Sequence, residues 1–151
     1  MKLNLGASDR SIPGYLSVDR VYPADVIADL EQPWPWATSS VEEVIAHDII
    51  EHLPDKIHTL NELYRVLVPG GRADIVVPST RGAGAWCDPT HKSYWNASSF
   101  EYFQNGNFAW KRFHASYGIM ARFNILSLSQ KAYSTPYDEV WKVFVLLEAV
   151  K

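Results

Sequence analysis

The chain predicts an α/β domain on a mostly parallel sheet, and three observations carry that expectation. The first is the stretch from Leu60 to Pro78, LNELYRVLVPGGRADIVVP. Apolar residues at Ile57, Leu60, Leu63, Tyr64 and Leu67 follow helical spacing. Pro69 cannot continue a helix, and Gly70 or Gly71 can take the positive φ that a helix C-cap often requires. The second is the run Ala73 to Val77, rich in β-branched residues and poor in polar ones, as in a parallel strand with helices on both faces. The third is an upstream alternation of short apolar runs, each closed by glycine or a polar residue, which is a βαβ-type pattern.

In chain order, Lys2–Leu5 reads as a strand ending at Gly6, and Leu16–Val18 as one ending at Asp19. Asp25–Ala28 ends at Asp29, and Val44–Ala46 at His47 and Asp48. A helix from about Asp55 to Leu67 precedes the strand over residues 72–77. Only nine residues separate Gly6 from Leu16 and they include Pro13-Gly14. The usual first crossover helix cannot fit there; at most one turn near Ser8–Ser11 survives. Ser79 to Asn96, rich in Gly, Ser, Asp and Pro, reads as a long loop of the kind that usually signals function or disorder. Ser98 or Ser99 is expected to cap a short helix through Gln104. Late strands are expected around Gly118–Leu128 and Trp141–Val150.

Composition narrows the classes. At 151 residues the expectation is one domain, residues 1–151. A net charge of −3 with 21% charged residues makes no case for a general polyanion-binding surface, so nucleic acid is not an expected partner. No apolar run approaches the ~20 residues of a membrane span. The single Cys87 excludes an intrachain disulfide and suits a reducing compartment, and the expected location is the cytoplasm. Aromatics make up 13%; core packing is expected to explain most of them and an aromatic-lined acceptor pocket part.

Ligands of open parallel sheets bind beyond the carboxyl ends of the strands, where strand order reverses. Each early strand ends there in glycine or a polar residue. GxGxxG is absent, which argues against a nicotinamide enzyme.

RVLVPGG, together with LNLGAS around Gly6, ADLEQPWPW around Asp29, AHDIIEHL around Asp48 and CDPTH around His91, resembles the class I S-adenosylmethionine-dependent methyltransferases of the small bacterial type. The resemblance covers residues 1–103. It implies a Rossmann-like, seven-stranded, mostly parallel sheet with an antiparallel last strand, here with the first helix largely deleted. It implies S-adenosylmethionine as cofactor, with the backbone at Asn4, Leu5, Gly6 and Ala7 near its methionine part. Asp19, beside Arg20, would take both ribose hydroxyls, Asp29 would accept from the adenine amino group, and Leu30 would pack on the ring. His47 and Asp48 would line the methionine moiety. The acceptor side would hold Glu51, His52, Asp88 and His91, with His91 or His52 removing a proton where the acceptor carries one. The plain alternative is that Gly6 is a turn glycine and that Asp88 and His91 brace their loop.

The reaction implied is in-line attack of an acceptor O, N or C on the sulfonium methyl, with a small molecule as the expected acceptor. Asp48, Glu51, His52 and His91 are suitable residue types for a metal, but the expectation is a site without one. Two other classes stay open: a non-catalytic cofactor-binding or scaffold protein, and a transferase moving a different group from a related nucleoside.

Overall fold

The structure, a computed structural model, describes residues 1–8, 10–134 and 139–151. Its elements are β1 (Lys2–Leu5), β2 (Leu16–Asp19), β3 (Val26–Ile27), β4 (Val41–His47), α1 (Lys56–Val66), β5 (Leu67–Pro78), α2 (Gly84–Cys87), α3 (Phe108–Tyr117), β6 (Phe123–Ser134) and β7 (Glu139–Ala149). Ile50–His52 and Ala97–Phe103 form 3-10 turns. The strands make one sheet in the order β3-β2-β1-β4-β5-β7-β6. The pairings among β1 to β5 are parallel, and β7 is antiparallel to both β5 and β6. Strand order reverses between β1 and β4, which fixes where a ligand crevice opens. No helix among the described residues is long and apolar enough to cross a membrane.

Several boundaries differ from expectation, each for a local reason. Helix α1 starts as predicted, because Asp55 accepts from the Ile57 and His58 amides at 2.9 Å. It ends at Val66, with Leu67 already extended. Pro69-Gly70-Gly71 is therefore a bulge inside β5 rather than a helix cap. Pairing steps from Val41–Leu67 to Glu43–Arg72, so β5 advances five residues where β4 advances two. Gly70 supplies the positive φ of that bulge, and a Cβ on Gly71 would meet backbone oxygens of Val68 and Glu42 at 2.9 and 3.1 Å.

Strand β4 begins three residues early at Val41, and β3 is only Val26–Ile27. Asn96, not a serine, caps the 3-10 turn, and Ser99 returns the bond to the Asn96 amide. Gly118, expected within a strand, takes left-handed geometry at the end of α3, a helix the sequence reading did not assign; β6 starts only at Phe123. Between β1 and β2 the described residues hold no helix, only turns in which the Arg10 amide donates to the Ala7 carbonyl and the Tyr15 amide to that of Ile12. Asp9 lies outside the described residues.

The two sheet faces are unlike, which corrects the expectation of helices on both. One face carries Leu3, Val44, Ala46, Ala73, Ile75, Val77, Val143, Val145 and Leu147, all buried, under Leu60, Leu63 and Val66 of α1 and the rings of Trp95, Phe100 and Phe103. The register sets the alternate residues on the other face: Asn4 beside Ile45, Ile45 beside Asp74, Glu43 beside Arg72 and Arg72 beside Glu148. There Lys2–Glu43 and Arg72–Glu148 ion pairs and the His47–Asp74 contact meet solvent instead of a helix.

Candidate functional site

The carboxyl ends of β1, β2 and β3 and the turn after β4 surround a hollow of about 490 Å³. Its wall is made by Gly6, Asp19, Arg20, Asp29, Leu30, Ile49 and His52, closed on one side by Pro89, Thr90 and Lys92. The Lys92 ammonium pairs with Glu31, joining that closing loop to the segment after β3.

Gly6 is required by its surroundings. Its φ is +62°, and a Cβ there would stand 2.7 Å from Ile49. The chain then turns across β2, as the Ala7 amide donates to Val18. Asp19 is held rigidly: Oδ2 accepts from the Ser8 amide at 2.9 Å, and Oδ1 from the Arg20 and Val21 amides at 2.7 and 3.2 Å. With two acceptor sites per oxygen, Oδ2 keeps one for a ligand. Asp29 accepts on Oδ1 from the Glu31 amide at 3.0 Å, and no bond to its Oδ2 occurs among the described residues. Leu30 is buried, its carbonyl accepting from the Trp34 indole at 3.1 Å.

Five residues expected at the cofactor therefore share one hollow: Gly6, Asp19, Arg20, Asp29 and Leu30. Five others stand apart from it. Strand alternation turns Leu5 into the core. Ala7 is buried beside β2, while Asn4 and His47, with Ala7, line a second hollow of about 150 Å³ that meets the first only at Gly6. The Asn4 amide group donates to the Arg10 carbonyl. Asp48, with φ +54°, gives both carboxylate oxygens to the Lys142 ammonium at 2.6 and 2.8 Å.

On the acceptor side the structure reorders the expected residues. His52 lines the hollow; His91 and Asp88 do not. The His91 side chain is 6% exposed and lies edge-on to His52 at 5.0 Å between ring centroids. Its Nδ1 is 2.9 Å from the Ala85 carbonyl, which can only accept, so Nδ1 carries the proton. Thr90 donates its hydroxyl to Asp88 Oδ1 at 2.6 Å, and its Oγ1 lies 3.1 Å from His52 Nδ1. Because that hydroxyl proton is committed, His52 Nδ1 is the donor of the pair. In the neutral form of each imidazole, Nε2 is thus the nitrogen that carries the lone pair. The Thr90 hydrogen bonds hold the Asp88 carboxyl below the usual carboxylate range.

Glu51, 2% exposed, stands behind the two imidazoles. Its Oε1 is 4.0 Å from His91 Nε2, and Oε2 has no hydrogen-bond partner. Burial pushes this carboxyl up to about 7, and the nearby Asp48 charge adds to the rise. Sequence reasoning missed Ile49, Thr90, Lys92 and Lys142. Thr90 and Lys92 flank His91, so their place in the chain was a usable signal. Lys142 meets Asp48 across 94 positions of sequence, and no local pattern announces that pair.

A family model described as a methyltransferase domain matches residues 15–75. No curated protein matches the chain in sequence. Among solved structures, a SAM-dependent methyltransferase from Methanosarcina mazei aligns at 11% identity over 99% of this chain and 92% of its own, with a TM-score of 0.66. The 1,6-didemethyltoxoflavin-N1-methyltransferase of Burkholderia thailandensis, solved with 1,6-didemethyltoxoflavin and S-adenosylhomocysteine, aligns at 12% identity over 99% of this chain and 71% of its own, TM-score 0.62. The [4+2]-cyclase SpnF aligns at 12% identity over 99% and 74%, TM-score 0.64. At these identities the likeness establishes the fold, which is that of the class I methyltransferases.

Proposed function

We propose that this chain is an S-adenosylmethionine-dependent methyltransferase of class I architecture that acts on a small-molecule acceptor. The observation that carries the reading is the convergence of Gly6, Asp19, Asp29 and Leu30 on one hollow at the switch point of the sheet, within a chain whose residues 15–75 match a methyltransferase domain. About 490 Å³ falls inside the range of roughly 300–1,000 Å³ typical of small-ligand sites.

The residues fit the cofactor. A glycine that a Cβ would drive into Ile49 lets backbone pass close to the ligand. Asp19 suits a ribose hydroxyl and Asp29 the adenine amino group, each with acceptor capacity left over, while Leu30 offers an apolar surface to the ring. S-adenosylmethionine supplies an electrophilic methyl group on a sulfonium. The protein supplies mainly position and exclusion of water. The loop through Pro89, Thr90 and Lys92 closes the acceptor side. His52 meets the hollow, and proton removal, where the acceptor carries one, falls to its Nε2 or to that of His91 behind it, with Asp88 and Thr90 orienting His52.

A small-molecule acceptor is supported by the concave, loop-covered site and by the small substrate bound to the Burkholderia neighbour. The cyclase among the neighbours favours keeping a second reading, cofactor binding without methyl transfer, because one fold carries several chemistries.

Calorimetry with S-adenosylmethionine and S-adenosylhomocysteine tests the binding half. Roughly micromolar affinity is expected for both. Asp29→Ala is the cleaner probe, since Asp19 also anchors three backbone amides. It is expected to weaken binding about 3- to 10-fold, the worth of one hydrogen bond. Failure of the wild-type protein to bind either ligand rejects the reading. Transfer of labelled methyl from S-adenosylmethionine to any small acceptor separates the enzyme from a mere binder.

A further inference from the structure

We propose that Glu51, His52 and His91 form a binding site for one divalent ion of borderline softness, such as Zn²⁺, Co²⁺ or Fe²⁺, in the wall of the hollow. One donor atom from each lies within 4.8 Å of the others. Two imidazoles and one carboxylate are a sufficient ligand set for such ions and leave coordination positions open.

Two independent observations point to a cation-binding role for this cluster. Glu51 is a buried carboxylate whose Oε2 has no hydrogen-bond partner, and orphaned buried acceptors are rare and costly. The ammonium on that side, Lys142, is engaged with Asp48. The imidazoles are also oriented as metal ligands usually are, each with its Nδ1 proton held by an oxygen so that Nε2 is free. His91 donates to Ala85, while His52 faces Thr90, whose own proton goes to Asp88. The separations from His91 Nε2, 4.0 Å to Glu51 and 3.9 Å to Asp88, are too long for hydrogen bonds.

Ligand bonds of about 2.0–2.2 Å put neighbouring donor atoms roughly 3–3.5 Å apart, so closure by about an ångström completes the site. His52 lines the hollow while Glu51 and His91 lie behind it, so the open positions face the acceptor side. Asp88 Oδ2 is within reach as a further ligand. Ion binding uses the same Nε2 lone pairs that proton removal needs, so proton removal by His52 or His91 belongs to the ion-free protein. The proposal does not depend on the methyl-transfer reading.

The test uses tag-free protein stripped with EDTA and titrated with Co²⁺, followed by its visible absorption, and with Zn²⁺ by calorimetry. One ion per chain is expected, and Glu51→Gln and His91→Asn should each weaken binding at least tenfold. His58→Asn, which alters an imidazole on α1 that contacts the Gln32 carbonyl, should leave it unchanged. Far-UV circular dichroism and thermal unfolding report whether each variant is folded. If Glu51→Gln unfolds, His91→Asn and His52→Asn decide the matter. Absence of stoichiometric Co²⁺ and Zn²⁺ binding by folded wild-type protein, or binding undiminished in the folded variants, overturns the proposal.

Discussion

Gly6 carries two constraints at once: a left-handed backbone and contact with Ile49, whose side chain it admits to the wall of the hollow. Gly6→Ala is expected to cost about 1–2 kcal/mol in backbone strain alone, lowering Tm by roughly 2–8 °C for a chain of this size. The displaced Ile49 should weaken S-adenosylhomocysteine binding as well. Thermal unfolding with and without ligand checks both, and an unchanged Tm and affinity would refute the close approach. Asp19 and Asp29 were legible as residue types at strand ends, because strand periodicity brings polar groups to a sheet edge. What sequence could not reveal is how differently they are held. Asp19 accepts from three backbone amides and Asp29 from one, a difference set by the turns the chain makes after each strand.

Helix α1 was readable almost to the residue at its start, since capping by Asp55 is a local interaction. Its far end was legible to within a residue, but the role of the PGG segment was not, because that segment is compatible both with a helix cap and with a strand bulge, and only pairing with β4 chooses between them. The helix is tied to the rest of the fold by Glu62 and Arg65. Glu62 accepts from Arg65 at 2.7 and 2.8 Å and from the Trp34 amide at 2.7 Å, while Arg65 donates to the Trp34 and Trp36 carbonyls. The Arg65 guanidinium, opposed in part by burial, holds the Glu62 carboxyl below its ordinary value. A depressed folded-state value stabilises the fold above the unfolded pKa of about 4.3, and that contribution is lost as pH falls through the folded value. Glu62→Gln should therefore cost about 1–3 kcal/mol at neutral pH. Its deficit relative to wild type should shrink as pH drops below about 4.3. Urea titrations across pH measure this, and a deficit independent of pH would remove the ion pair from the account.

At the scale of the molecule, the sheet is a two-layer structure over much of its width, with helices and aromatic rings on one side and ion pairs on the other. Substitutions should report that asymmetry. Ile75→Ala, on the buried face, is expected to cost about 2–5 kcal/mol, and Ile45→Ala, on the open face, about 1 kcal/mol or less. Denaturant unfolding of the two variants measures the difference, and equal costs would mean that something covers both faces alike. The missing crossover helix between β1 and β2 was visible in the nine-residue spacing. Its consequence, an exposed polar sheet face, was masked by the apolar look of Ala73 to Val77: the register sends Asp74 outward with Ile45 and Leu146 while Ala73 and Ile75 go inward.

By itself the sequence determined the order of strands and helix along the chain, the near loss of the first helix, and the polar residues that close each strand, because all of these follow from short-range periodicity, caps and glycine or proline geometry. Tertiary structure alone decided which of those polar residues meet. It turned Asn4 and His47 to the far face, gave Asp48 to Lys142, set His52 rather than His91 against the hollow, and left Glu51 buried with a free oxygen. Those outcomes depend on register and on contacts between residues distant in the chain, which local patterns do not encode.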